Sequence, residues 1–279
     1  MMSKLWFQSG VTPIMEGIVD LHNHIFGYLV FVLCLVLWIY GTTLYYFWWY
    51  PTYENVEFRE KILESREILH STGLETAWTI APSGVLLSIG VPSFALLYAM
   101  DEVVNPQMTV KVIGHQWYWS YEYSIENWLS EKLIDSSSFE KGYPLLEEKS
   151  WNRMSGTEVE ELKKVSFDSY MKNEDELEKG EPRLLATTEP VVVPINTHIR
   201  FLITASDVIH SFAVPSLGIK IDAIPGRLNQ GMVYIKVPGI YRGQCSEICG
   251  VNHGFMPIEI KAVEGDQFLN WYKAKSLSL

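Results

Sequence analysis

Between Asp20 and Glu54 the chain carries no Asp, Glu, Lys or Arg, and the run from Ile25 to Tyr50 inside that gap is overwhelmingly apolar. This exceeds the roughly 20 residues that a helix needs to cross a bilayer, so the run reads as a transmembrane helix. Its end is crowded with Tyr45, Tyr46, Trp48, Trp49 and Tyr50 ahead of Pro51, as expected where amphipathic rings lie among lipid headgroups. A second uncharged run spans Thr76 to Met100 and is closed by Asp101 and Glu102. Pro82 and Pro92 inside it would stop a soluble helix, but membrane helices tolerate proline when neighbours satisfy the freed carbonyls. Residues 1–107 therefore read as an N-terminal segment and a two-helix transmembrane hairpin, with spans at about 25–50 and 76–100 and both ends of the hairpin on one side. The loop from Glu54 to Glu75 carries Arg59, Lys61 and Arg66, against Lys4 alone before the first span, which places the loop on the inner side and the long C-terminal part outside. The segment before Pro13 lacks the charged start, apolar core and cleavage site of a secretory signal, so either processing is complete or none is needed.

The remainder, residues 108–279, has a different character. It offers short β-rich runs, MTVKVIG, QWYWSYEY, EPVVVPIN, HIRFLITA, MVYIKV and MPIEIKAV, separated by Pro, Gly and Asn. These predict an all-β domain, an antiparallel sandwich or barrel. An excursion at about 125–164 interrupts it, charged and poor in β-branched residues. There Ile125, Trp128, Leu129 and Leu133 fall at helical spacing behind Ser124, and Thr157 with Glu160 fits a capping box. The formal net charge of -11 argues against nucleic-acid binding and for a cationic partner, since phosphate recognition needs clustered Lys and Arg.

Three cysteines, Cys34, Cys245 and Cys249, are too few for a disulfide framework. Cys34 lies mid-span and reads as a small apolar filler. The other two fall in Cys245-Ser-Glu-Ile-Cys249-Gly-Val-Asn-His253-Gly-Phe-Met256, with His210 upstream in DVIHSFAVPS. Cys245 and Cys249 could form a surface disulfide, or with His210 and His253 a tetrahedral zinc site. Met256 favours copper, because zinc does not call for a thioether whereas copper electron-transfer sites use one, and a second thiol four residues after the first offers two bridging sulfurs.

GHQWYWSYEY (114–123), SFDSYM (166–171), HSFAVPSLG (210–218), DAIPGRLNQ (222–230) and GQCSEICGVNHGFMP (243–257) together resemble subunit II of cytochrome c oxidase. LETAWTIAP (74–82) and PSFALLYAMDE (92–102) extend the resemblance through the hairpin. It implies a cupredoxin-like Greek-key sandwich or barrel holding a dinuclear copper centre, the CuA site. Cys245 and Cys249 would bridge two coppers, His210 and His253 would be terminal ligands, Met256 a weak ligand to one copper and the Glu247 backbone carbonyl a ligand to the other. The Glu247 carboxylate would bind a magnesium shared with subunit I. The excursion departs from the family, in which the two strand motifs are joined through a few residues; it is either a contact for another subunit or a tolerated surface loop.

The same resemblance implies that electrons from cytochrome c enter at Trp117, although an aromatic cluster in a β-domain is more often packing. Glu75 matches a carboxylate at the mouth of a proton pathway, while Thr72-x-x-Glu75 also fits a capping box. Glu122, Asp168 and Asp207 match acidic positions of the cytochrome c docking face, yet scattered surface acids ordinarily just solvate. The expected function is electron entry into a proton-pumping oxidase, an oxidoreductase and translocase whose oxygen-reducing site lies in a partner chain. Its expected partners are cytochrome c, subunits I and III and the lipid bilayer. A mitochondrial inner membrane, with the C-terminal domain in the intermembrane space, is expected over a bacterial plasma membrane. A membrane-anchored copper-delivery protein, a structural assembly subunit and a quinol-oxidase subunit without copper ligands are the alternatives.

Overall fold

The computed structural model describes residues 6–48, 60, 69–102, 105–125, 128 and 164–278. Contacts divide the chain into two compact units, residues 18–97 and residues 1–17 together with 98–279.

Helix α1 runs from Pro13 to Trp48, starting earlier than the uncharged run. The cause is local: Pro13 has the backbone angle of a first helical turn, and the Thr12 hydroxyl accepts the Met15 N–H at 3.1 Å. Helix α2 spans Thr72–Asp101 and continues through both prolines. No residue of α2 is buried, and Leu86, Leu87, Val91 and Tyr98 are each about 70% exposed. Trp49, Tyr50 and the loop cations Arg59, Lys61 and Arg66 lie outside the described residues.

The β unit comprises β1 (Met108–His115), β2 (Tyr118–Ser124), β3 (Ser166–Ser169), β4 (Val191–Pro194), β5 (His198–Ala205), β6 (His210–Val214), β7 (Ile219–Ala223), β8 (Asn229–Tyr234), β9 (Gly239–Cys245) and β10 (Pro257–Val263). They form two five-stranded sheets, ordered β3-β2-β1-β5-β8 and β4-β10-β9-β6-β7. The all-β sandwich is as expected, but a wholly antiparallel one is not: β1 pairs with β5 and β4 with β10 in parallel. Period-2 alternation reports which face of a strand is buried and is silent about the direction of its neighbour, so the sequence could not distinguish the two.

Alternation builds the first sheet. Met108, Val110 and Val112 of β1 face the core with Trp119, Tyr121 and Tyr123 of β2 and Ile199, Phe201 and Ile203 of β5. In the second sheet β6 is buried along its whole length, and Phe212 packs edge-on against Trp119 at 5.4 Å, tying the sheets together. A third helix, α3 (Gly265–Leu277), was not anticipated; it buries Phe268, Leu269 and Tyr272. Trp128, from the excursion, meets Phe268 at 5.2 Å, and both it and Ile125 are buried. Leu129, Leu133, Thr157 and Glu160 lie outside the described residues.

The segment ahead of α1 is strapped to the β unit. Val11 N–H donates to the Ser216 carbonyl, Lys236 N–H donates to the Val11 carbonyl, and the Thr12 hydroxyl donates to Leu217. Met15 lies against Gly218 and is itself buried.

Candidate metal centre

The candidate ligands sit where strands of the second sheet end. His210 opens β6 and Cys245 closes β9, and the two strands are hydrogen-bonded neighbours with Phe212 opposite Cys245. Cys249 and His253 lie on the loop from β9 to β10, which makes a 3-10 turn at His253–Phe255, and Met256 comes just before β10. Two strands paired deep in a sandwich therefore hold the ends of the ligand loops in register. Gly114 of β1 completes the pocket, because a Cβ there would stand 2.9 Å from the His210 ring.

The donors face one another. Cys245 Sγ is 4.0 Å from Cys249 Sγ and 4.0 Å from His210 Nδ1, and Cys249 Sγ is 3.5 Å from His253 Nδ1 and 3.6 Å from Met256 Sδ. The Glu247 carbonyl oxygen lies 3.3 Å from Cys245 Sγ. Both cysteines are free and buried, so they do not form the disulfide that the spacing also allowed. The ligand atoms of His210, Cys245 and Cys249 all lie within 4.8 Å of one another. Two metal–sulfur bonds of about 2.3 Å end to end exceed the gap between the sulfurs, so one ion can touch both. Two thiols, two imidazoles, a thioether and a carbonyl are more donors than a zinc tetrahedron uses, and their softness suits copper. The residues present fit the metal that the donor set implies.

The electrostatics point the same way. Burial acts to raise the Cys245 thiol, but hydrogen bonds from His210 and from the surrounding backbone outweigh it and hold the group down at about 6. Burial, reinforced by the negative charge of Cys245, pushes the Cys249 thiol up to about 12. The pair carries one negative charge readily and a second only with a cation beside it. Burial works to lower His210, yet contacts with Cys245 and Asp207 raise it above its ordinary value.

Asp207, matched to a docking acid, has three partners in the structure. One carboxylate oxygen accepts from His210 Nε2 at 2.9 Å and from the Val208 N–H at 2.6 Å, and the other accepts from the Gln116 N–H at 2.6 Å. It thereby turns His210 so that Nδ1 faces the sulfurs, the arrangement by which carboxylates orient metal-binding imidazoles. The sequence reading missed this, although a carboxylate three residues ahead of a candidate ligand was a usable signal. The other two acids point outward. Glu122 is paired across the strands with Lys111 at 3.0 Å, and Asp168 accepts from the Ser120 hydroxyl at 2.7 Å.

Trp117 occupies the tight turn between β1 and β2, half-buried, with its indole N–H donating to the Cys249 carbonyl at 3.3 Å. Beside it is a hollow of about 530 Å³ lined by Tyr118, Tyr170, Met171, Asn252 and Phe255. Glu75 lies in the first turn of α2. The expected capping box with Thr72 is replaced by another arrangement: Glu75 accepts from the Ser71 N–H at 3.3 Å and meets His70 Nδ1 at 3.0 Å, while Thr72 turns to the other His70 nitrogen. Thr72 is the first helical residue rather than the cap, which moves the pattern by one position.

A sandwich that follows two bilayer-length apolar helices and carries a buried thiol–imidazole cluster at strand ends has the features of a membrane-anchored subunit with a candidate metal site. The chain matches two family models, cytochrome C oxidase subunit II, transmembrane domain, over residues 1–96, and cytochrome C oxidase subunit II, periplasmic domain, over residues 145–263. It belongs to the cytochrome c oxidase subunit II family. Cytochrome c oxidase subunit 2 of Oenothera berteroana is 45% identical over 96% of this chain and 88% of its own length, and that of Mycosarcoma maydis is 46% identical over 98% and 91%. The crystal structure of the periplasmic domain of subunit II of cytochrome oxidase from Bradyrhizobium japonicum is 37% identical, covering 63% of this chain and 99% of that one, with a TM-score of 0.47. The protein is thus a membrane-embedded subunit of an oxidoreductase and works with other subunits.

Proposed function

We propose that the chain takes electrons from cytochrome c at a dinuclear copper centre and hands them to the haem centres of subunit I, where oxygen is reduced to water and protons are pumped. The observation that carries this reading is the pair of buried free thiols 4.0 Å apart, flanked by imidazoles whose Nδ1 atoms face them. Cys245 and Cys249 would bridge the metals, with His210, His253, Met256 and the Glu247 carbonyl completing the set. A copper pair bound there supplies a carrier that takes up and releases one electron at a time.

The surrounding residues do the rest. Burial of His210, Cys245, Cys249 and Met256 to 6% exposure or less keeps water from the donors. It also disfavours a delivery protein, which needs exchangeable, exposed ligands. Asp207 fixes the His210 ring. Trp117 joins the loop carrying Cys249 to the outer hollow and is the proposed point of electron entry, with Glu122, Asp168 and Asp207 supplying negative charge for a basic carrier. The exposed Glu247 carboxylate is the proposed ligand of a magnesium shared with subunit I. Glu75, with His70 beside it, is the proposed collector of protons. One relative of mitochondrial name supports a mitochondrial location; the proposed setting is the inner membrane, with the β unit in the intermembrane space and subunits I and III as neighbours.

Metal analysis and electron spin resonance of the isolated oxidase test the reading. Two coppers per chain with a mixed-valence signal are expected, and Cys245→Ser or Cys249→Ser abolishes that signal because one sulfur cannot supply a double bridge. An intact two-copper signal in either variant overturns the assignment.

A further inference from the structure

We propose that Gln116 is a positioning residue that clamps the two ligand-bearing loops to the turn carrying Trp117, an inference that rests on the reading of the metal centre given above. Gln116 makes two connections of different kinds. Its backbone N–H donates to Asp207 at 2.6 Å, and Asp207 holds His210. Its side-chain amide donates to the Cys249 carbonyl at 2.8 Å, the same oxygen that receives the Trp117 indole N–H. One residue thus reaches the loop before β6 and the loop after β9, and shares an acceptor with the aromatic ring beside it.

The fit is close on the other side of the contact as well. Gly250 follows Cys249 with φ +122°, and a Cβ there would stand 3.0 Å from Trp117 Cζ2 and 3.3 Å from Gln116 Nε2. The loop has no side chain where the turn comes down on it. A carbonyl accepting two N–H groups is held in direction as well as in place, because each donor restricts a different axis. The ligand sulfur of Cys249 belongs to the residue whose carbonyl is pinned, and the ligand nitrogen of His210 belongs to the ring that Asp207 pins. Gln116 therefore couples the spacing of the donors to the seating of Trp117: its side-chain amide holds the loop after β9, which loosens when the amide is removed, and its backbone N–H holds Asp207.

The test uses Gln116→Met in the assembled oxidase, a side chain of similar length without the donor. Copper is expected to stay bound with a shifted hyperfine pattern. Amide exchange in peptides covering 246–253 is expected to rise about five-fold, the ratio that one lost hydrogen bond of ordinary strength gives, while peptides covering 206–210, held through the backbone N–H that the substitution keeps, stay unchanged. Reduction at saturating cytochrome c slows by a similar factor, while KM stays within about two-fold because the acidic rim is untouched. A raised KM with an unchanged spectrum makes Gln116 a docking contact only and overturns the proposal. So does a lowered melting point with spectrum and exchange unchanged. Where Gln116→Met fails to assemble, Gln116→Glu replaces the donor by an acceptor in the same shape, and an unshifted spectrum there is equally fatal. A wild-type oxidase without the two-copper signal sinks the reading of the site itself, and the clamp with it; a normal wild type beside a silent variant sinks the clamp alone.

Discussion

Strand β6 and helix α2 are both largely apolar, yet every residue of β6 is buried and none of α2 is. The β unit supplies its own apolar environment: two sheets close on Trp119, Phe201 and Phe212, and α3 covers one edge. The helices of residues 18–97 do not, and their outward leucines and aromatics find an apolar environment only in lipid or in other subunits. Apolar sequence therefore serves two solvents in this molecule. Periodicity separates the first sheet from the helices, since β1 and β5 alternate while the helices are apolar all round; β6, buried throughout, is separated from α2 by burial alone.

That contrast can be broken from either side. Phe212→Ala removes a fully buried ring that bridges the sheets and is expected to cost about 3–5 kcal/mol, read as a lowered melting point of the β unit with the helices still in the membrane. A small cost would mean that the sandwich leans on something outside itself. Leu87→Arg places a charge at the centre of α2, on a side chain that is 71% exposed, and is expected to oppose insertion by about 2.5–3.5 kcal/mol. Extraction of the variant chain from membranes by alkali measures it; retention at the wild-type level would mean that this face meets water or a protein cation acceptor.

Smaller effects test the edges of each region. Glu75→Ala forfeits the Ser71 contact, worth about 0.5–2 kcal/mol, too little to dissolve a membrane helix. Proton uptake should slow while reduction of the copper centre stays fast; full turnover in the variant would leave Glu75 with its capping role alone. The smallest change concerns Lys172 and Glu181, which pair at 2.8 Å on the β unit. The hydrogen bond between them, first among the causes for both, lowers Glu181 below its ordinary 4.5 and raises Lys172 above 10.5. The contribution from Glu181 is thus complete above pH 4.5 and is lost as pH falls through its lowered folded value; that from Lys172 is complete below pH 10.5 and is lost as pH rises through its raised one. Glu181→Gln should lower the melting point at neutral pH and converge with the wild type in acid. A constant gap across that range would show that the pair carries no linkage.

Much of this architecture is legible in the residues. Charge-free runs of bilayer length announce the two helices, and six of the ten strands coincide with β-rich runs between turn residues. The remaining strands are the instructive ones. β9 carries Gly239 and Gly243 among polar residues, and β6 is five residues long and hemmed in by Pro215, so neither shows a period. Both are strands of the candidate metal centre. Their propensity is weak because their ends are given to the candidate ligands His210 and Cys245 and their middles to close packing, and pairing in the sheet supplies what local preference lacks.

By itself the sequence determined the inventory: two spans, an all-β remainder, and a set of thiols, imidazoles and a thioether whose chemistry points to copper. A one-dimensional spacing can state which donors exist, but whether Cys245 and Cys249 form a disulfide or stand apart as free thiols depends on where β9 ends beside β6. The tertiary structure decided that, together with the parallel pairings, the docking of α3 and the inward turn of Asp207. The parallel pairings, the docking of α3 and the bond from Gln116 to Asp207 join residues far apart in the chain, and such contacts are set by shape and hydrogen-bond direction in three dimensions, which no local pattern of residue types encodes.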